Sequence, residues 1–196
     1  MIRIRINGRG GQGGKTMAEL MATMYYSESG EAGTYPHVSS APTFGPERRG
    51  SPVDAFIRFN EAPIRELGPF AYPDIVIVLD EVLTRTTNVA AGLKEGGLLL
   101  INAPHGPDTF SAYQGRFRVA TIDADRIAAL HGLGSRATPI VNTTLLGAFV
   151  RVAGLGVTID GLAAFIASEI KKKTEANIAA ARHAYACVCT GKEETS

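Results

Sequence analysis

The first two dozen residues constrain this chain more than any others. Ile2, Ile4 and Ile6 alternate with Arg3, Arg5 and Asn7, the two-residue period of a strand with one apolar face. Glycine then crowds seven positions, Gly8-Arg9-Gly10-Gly11-Gln12-Gly13-Gly14. Met17, Leu20, Met21 and Met24 follow on one helical stripe, with Gly30 as its stop. Strand, glycine turn and helix make the first half of a βαβ unit. Thr16 and Glu19 have capping-box spacing, and the helix opens either there or within the glycines.

The rest of the chain repeats the alternation of strand and helix. Residues 34–52 show no clean period and are dense in Pro, Gly and Ser, which predicts a long irregular segment of functional use. Strands are expected at Val53–Phe59, at Ile75–Leu79 ending on Asp80, at Leu98–Ile101 and, more weakly, at Phe117–Ile122. Uniformly apolar runs such as Ile75-Val76-Ile77-Val78-Leu79 suit a strand buried on both faces of a parallel sheet. Helices are expected near Thr84–Leu93, Asp125–Leu130 and Asn142–Val152. The C-terminal third reads as helical, with Thr158 as a cap, lysines 171–173 as a solvated helix end, and an alanine-rich helix through Tyr185. The fold class is α/β: a doubly wound, mostly parallel sheet flanked by helices, in one domain over 1–190 with a frayed tail over 191–196.

Length and composition narrow the function classes. A chain of 196 residues buries roughly 70% of its unfolded surface and needs no staple to hold a core. Twenty Lys and Arg against nineteen Asp and Glu leave a net charge of +1. That balance lacks the bulk positive field of nucleic-acid and anionic-membrane binders. No apolar run approaches the roughly 20 residues of a membrane helix. The two cysteines, Cys187 and Cys189, lie too close for a good disulfide and too few for an iron–sulfur cluster. On a helix they project to nearly opposite faces and serve packing. Met1 runs straight into the charged strand without a leader pattern, so a reducing cytoplasm is the expected setting.

The glycine cluster admits three readings. Gly8, Gly10 and Gly13 satisfy G-x-G-x-x-G between a strand and a helix, where backbone amides at a helix N-terminus receive a phosphate. A dinucleotide site also requires an acidic residue ending a second strand about 20 positions on. Glu31 has the distance but no clear strand. Gly14-Lys15-Thr16 evokes a nucleotide P-loop, yet the required first glycine falls on Arg9. The third reading is a tight turn packed against neighbouring backbone.

Two blocks in order carry a family resemblance: Gly8-Arg9-Gly10-Gly11-Gln12-Gly13, and Phe44-Gly45-Pro46-Glu47-Arg48-Arg49-Gly50-Ser51-Pro52-Val53. Together with 73–78, 92–97, 139–143 and 146–149, they resemble the gamma subunit of 2-oxoacid:ferredoxin oxidoreductases over residues 2 to about 186. The resemblance implies a multi-subunit enzyme that oxidatively decarboxylates a 2-oxoacid to an acyl-CoA. Thiamine diphosphate, with Mg2+, is implied to sit on alpha and beta subunits. Iron–sulfur clusters are implied on a ferredoxin-like subunit, with ferredoxin, or NAD through a further subunit, as acceptor. The gamma chain is implied to hold neither cofactor, to lack catalytic and metal-binding residues, and to pack on the alpha chain near the entry of CoA. Gly14-Lys15-Thr16 replace the small apolar residues usual in the family, and 35–43 lengthen the following segment. An aromatic 2-oxoacid such as phenylglyoxylate is therefore an expected alternative to pyruvate.

Candidate contacts for CoA are Gly8, Gly10, Gly11, Gln12 and Gly13, whose amides form an anion-binding concavity, and the guanidinium forks of Arg48 and Arg49. One arginine is expected to support the loop and the other to face the ligand. Asp80 and Asn102 end apolar strands, where capping the following turn competes with a ligand role. His37 and His105 sit in loops. The competing functions are a stand-alone NAD(P)-binding oxidoreductase and a purely structural assembly subunit.

Overall fold

The computed structural model describes residues 1–32, 35–42, 50–135 and 137–191. Seven strands form one sheet: β1 (Ile2–Arg9), β2 (His37–Pro42), β3 (Pro52–Asn60), β4 (Ile75–Val78), β5 (Leu98–Asn102), β6 (Arg118–Ile122) and β7 (Cys189–Thr190). Their spatial order is β2-β3-β1-β4-β5-β6-β7. β1, β4, β5 and β6 run parallel at the centre, and β3, β2 and β7 extend the sheet antiparallel to their inner neighbours or to each other. The expected α/β sheet is thus present, with its parallel part in the middle.

The helices are α1 (Gly14–Ala32), α2 (Leu83–Thr86), α3 (Ala124–Leu130), α4 (Asn142–Ala153), α5 (Ile159–Glu169) and α6 (Thr174–Cys187), with a 3-10 turn at Pro107–Tyr113. The pleat of β1 sets which face takes which helices. Ile4 and Ile6 are fully buried against α1, α4 and the C-terminal helices, beside the Met17, Met21 and Met24 stripe of α1. Each such side chain contributes about 1.5–3 kcal/mol relative to exposure. β4 and β5 are apolar on both faces, and Val76, Val78, Leu99 and Ile101 pack under the thin cover of α2 and the 3-10 turn.

On that second face β1 and β3 bury charge. Arg5 donates Nη2 to the Val89 carbonyl at 2.8 Å, and Arg58, 1% exposed, donates Nη1 to the Gly68 carbonyl at 2.8 Å. The Arg58 guanidinium also lies 4.7 Å from the Phe70 ring centre. These bonds pin the segments after β3 and after α2 over the sheet.

Several expectations are corrected. Residues 37–42, expected to be irregular, form β2; as an edge strand of intermediate burial it carries no apolar alternation. β3 lies between β2 and β1, so the first βαβ unit is split by an antiparallel strand. The helix expected over Thr84–Leu93 is one turn, because Thr87 leaves helical geometry for an extended one, φ −138° and ψ 158°, and the chain then turns. Of the two openings expected for α1, the one within the glycines holds, at Gly14, whereas the helix passes its expected stop at Gly30 to end at Ala32. The 3-10 turn and β7 were not expected. Cys187 closes α6 and Cys189 enters β7, and both are exposed, so neither is a packing residue. Gly191, assigned to the tail, donates its amide to Val119. The Thr158 cap stands, accepting from the Gly161 amide at 3.0 Å, and lysines 171–173 are exposed as expected. No helix among the described residues is long and apolar enough to cross a membrane.

α4 and α6 approach so closely that Gly147 has no room for a side chain: a Cβ there would lie 2.0 Å from the Ala181 carbonyl oxygen. Gly147→Ala must push the helices apart and should cost about 1–3 kcal/mol or more. Chemical denaturation of the full chain checks this; an unchanged midpoint would refute the close packing.

Candidate functional site

β1 and β4 are adjacent parallel strands whose following connections leave in opposite directions. The connection after β1 runs through α1 toward β2 and β3, and that after β4 leads to β5. Such a switch point is where doubly wound sheets place ligands, and the glycine cluster emerges there.

Each glycine of the loop has a distinct reason. A Cβ on Gly8 would sit 2.9 Å from the Leu79 side chain. Gly10 continues the pairing toward β3, donating to Ser51 at 2.9 Å and accepting from Gly50 at 3.2 Å. Gly11 and Gly13 adopt φ of +95° and +80°, a region costly to other residues. Gly13 also lies against the buried amide of Asn142, at the start of α4, which a Cβ would meet at 3.0 Å. Met17 bonds back to Gly13 at 2.9 Å, leaving the first-turn amides of α1 directed into the loop.

A cavity of about 250 Å³ opens here, lined by Gly8 to Gly11, Gly13 to Lys15 and Val53 to Ala55. Of the expected contacts, Gly8, Gly10, Gly11 and Gly13 therefore share one concavity. Gln12 does not line it. Its Oε1 accepts from the Arg9 amide at 2.8 Å, and its Nε2 donates to Asp80 Oδ2 at 3.0 Å. Arg9 Nε lies 3.2 Å from the same Asp80 oxygen. Arg48 and Arg49 lie outside the described residues, so their expected division of labour has no geometry here.

The other carboxyl-end residues act locally. Asp80 Oδ1 accepts from the Val82 amide at 2.9 Å, a turn cap as expected. Asn102, buried, donates Nδ2 to the Leu79 carbonyl at 3.0 Å and accepts at Oδ1 from the Ala124 amide at 2.9 Å, tying the ends of β4 and β5 to α3. Burial holds the Asp125 carboxyl above the ordinary carboxylate range, opposed by a hydrogen bond with Asn102 and reinforced by Asp123 and Asp80. The residue as a whole is exposed, so solvent screens much of this.

His37 is in edge strand β2, and His105 is exposed beyond β5. Histidine enters the fold elsewhere: His131 Nε2 and His183 Nδ1 lie 3.1 Å apart between α3 and α6, a pairing that sequence spacing does not reveal. Among the described residues no group of three or more His, Cys, Asp or Glu has the arrangement of a metal site.

The loop geometry also separates the three readings. Lys15 is largely exposed and 3.6 Å from Glu19 on its own helix, not folded over a loop as a P-loop lysine would be. Glu31 is inside α1, ahead of β2, and so does not end a strand where a ribose would bind. A larger cavity of about 900 Å³, lined by Glu95, Arg116, Phe117 and Arg118 among others, lies at the opposite, amino-terminal end of β5 and β6. Gly96, Gly115 and Gly191 line it as well, but no α-helix N-terminus does.

The family model described as pyruvate ferredoxin/flavodoxin oxidoreductase matches residues 3–187. Over 186 residues the chain is 45% identical to the pyruvate synthase subunit PorC of Methanothermobacter marburgensis, covering 94% of this chain and 96% of that protein. It is 40% identical over 188 residues to the pyruvate/ketoisovalerate oxidoreductases common subunit gamma of Pyrococcus abyssi, with the same coverage. The crystal structure of the pyruvate oxidoreductase subunit PORC of Thermotoga maritima superposes with a TM-score of 0.78 at 30% identity, covering 97% of this chain and 98% of that one.

Asn102→Ala would strand the Leu79 carbonyl and the Ala124 amide in the interior. A loss of about 1–3 kcal/mol in unfolding free energy is expected, measured by urea titration; a neutral substitution would show that water replaces both bonds.

Proposed function

This chain belongs to the pyruvate ferredoxin/flavodoxin oxidoreductase family, and from that premise we propose that it is the gamma subunit of a multi-subunit, thiamine-diphosphate-dependent 2-oxoacid oxidoreductase. The reaction is the CoA-dependent oxidative decarboxylation of a 2-oxoacid to acyl-CoA and CO2. In this reading residues 1–190 act as one domain, the alpha and beta subunits hold thiamine diphosphate with Mg2+, and a ferredoxin-like subunit carries the clusters. The chain's own residues do not fit a cluster: two exposed cysteines two positions apart supply half the thiolates one requires. Electrons leave to ferredoxin, or to NAD where a further subunit is present.

The glycine loop carries the reading of this chain's own part. Its cavity of about 250 Å³ falls below the roughly 300–1,000 Å³ of a site that encloses a whole small molecule. It suits one anionic end of a ligand whose remainder lies on a partner. Backbone amides at the start of α1 and the open Gly11 form a phosphate-binding set, and Lys15, which also lines the cavity, can swing its exposed ammonium from Glu19 to an arriving phosphate. CoA offers phosphates at one end and its reacting thiol at the other, so the gamma chain grips the nucleotide end while chemistry proceeds elsewhere. Arg48 and Arg49, ahead of Gly50, belong to the same proposal.

The stand-alone NAD(P) reading lacks its ribose anchor. The oxoacid is assigned to the other subunits: the Pyrococcus abyssi relative is by name common to pyruvate and ketoisovalerate oxidoreductases. Pyruvate or a similar aliphatic oxoacid is favoured over phenylglyoxylate by the names of both relatives.

In the assembled complex, Lys15→Glu should raise the apparent KM for CoA about tenfold, the loss of one charge-assisted contact. The KM for the oxoacid should not change. Gly11→Ala should act in the same direction through backbone strain. An unchanged KM for CoA in both, with normal assembly, would favour the purely structural subunit.

A further inference from the structure

Asp80 follows β4 and is joined to the glycine loop by a closed ring of polar contacts. The Arg9 amide donates to Gln12 Oε1, Gln12 Nε2 donates to Asp80 Oδ2, and the Arg9 guanidinium returns to that same oxygen. The ring fixes the orientation of the Gln12 side chain, since its oxygen faces a donor and its nitrogen a carboxylate.

The ring occupies the place where the sheet would otherwise open. β1 pairs with β4 only as far as Asn7, whose carbonyl accepts from the Leu79 amide. Beyond that point Gln12 folds back to take the Arg9 amide in place of a next β4 residue, and Asp80 closes the gap behind it. On its other side β1 keeps its partner, through Gly10 and Ser51. The cavity lining reflects this: Val53, Asp54 and Ala55 of β3 contribute to it, whereas Asp80 and β5 do not.

A turn cap accounts for only half of Asp80. Capping uses Oδ1, on the Val82 amide. The other oxygen is committed to the loop, and the side chain is only 19% exposed. A carboxylate beside an anion-binding loop is electrostatically adverse unless paired, and here Arg9 pairs it. We infer that Asp80 is a positioning residue for the co-substrate: through Gln12 and Arg9 it closes the β1–β4 crevice and holds the loop with its free amides turned toward β3. This inference rests on the reading of the loop as the docking point for CoA.

The test uses the complete complex carrying Asp80→Ala, Asp80→Asn, Gln12→Ala and the Asp80→Ala/Gln12→Ala pair. Asp80→Ala and Gln12→Ala should each raise the apparent KM for CoA about tenfold, with kcat and the KM for the oxoacid nearly unchanged. The pair should be no worse than Gln12→Ala alone, because both break one ring. Asp80→Asn keeps an acceptor and the Val82 cap but loses the charge, and should fall between wild type and Asp80→Ala. Should Asp80→Ala fail to assemble, Asp80→Asn and Gln12→Ala carry the same KM test. An unchanged KM for CoA in the Asp80 and Gln12 variants, while Lys15→Glu raises it, overturns the inference and leaves the CoA reading standing. An unchanged KM in all of them, Lys15→Glu included, overturns both. Equal loss of active complex without any KM change overturns the inference by showing a purely structural role.

Discussion

The structure depends on the two-sided pairing of β1. All eight of its residues are in register with β3 on one edge, Ile2 opposite Phe59 through Arg9 opposite Pro52. On the other edge only Ile4 to Asn7 pair with β4. β1 is thus tied to the antiparallel arm along its whole length and to the parallel centre along half of it. The unequal edges create the site, because Arg9 and the glycines outrun β4 and must find other partners. Gly8 lets Leu79 pack against the strand end, Gly10 keeps the β3 edge, and Gln12 with Asp80 stands in for the missing β4 backbone.

How far this is legible in sequence follows from how locally each element is specified. β1, β4 and β5 declare themselves, since period-two or uniform apolarity is enforced by burial on one or both faces. α4 and α5 likewise present Leu145, Leu146, Phe149, Leu162, Phe165 and Ile166 at helical spacing. β2 does not, because an edge strand of intermediate burial has no apolar face to impose a pattern. The helix expected from Thr84 stops after one turn, where Thr87 becomes extended, a break that no glycine or proline announces. Cys187 and Cys189 look like helix-packing residues until the helix is seen to stop between them.

The site was partly legible. The shared turn of the glycines at 8, 10, 11 and 13 was legible, because turn conformation is written in residue type. The role of Gln12 was not, since its partners are the Arg9 backbone and a carboxylate 68 positions away. Asp80 is similarly visible only as the end of a strand. Arg58 is the sharpest case: nothing local in Ile57-Arg58-Phe59 announces that the arginine is buried. What buries it is a segment ten residues on, which supplies the Gly68 carbonyl and the Phe70 ring.

The central claim is that this gamma-type chain grips one end of CoA with the backbone of the glycine loop. Hydrogen–deuterium exchange of the assembled complex, with and without CoA, tests it most directly, because the loop's own amides are the reporters. Exchange over residues 10–16 should slow when CoA is added, while residues 61–72 at the other end of the sheet stay unchanged. CoA that binds the complex and leaves residues 10–16 exchanging as before would contradict the account.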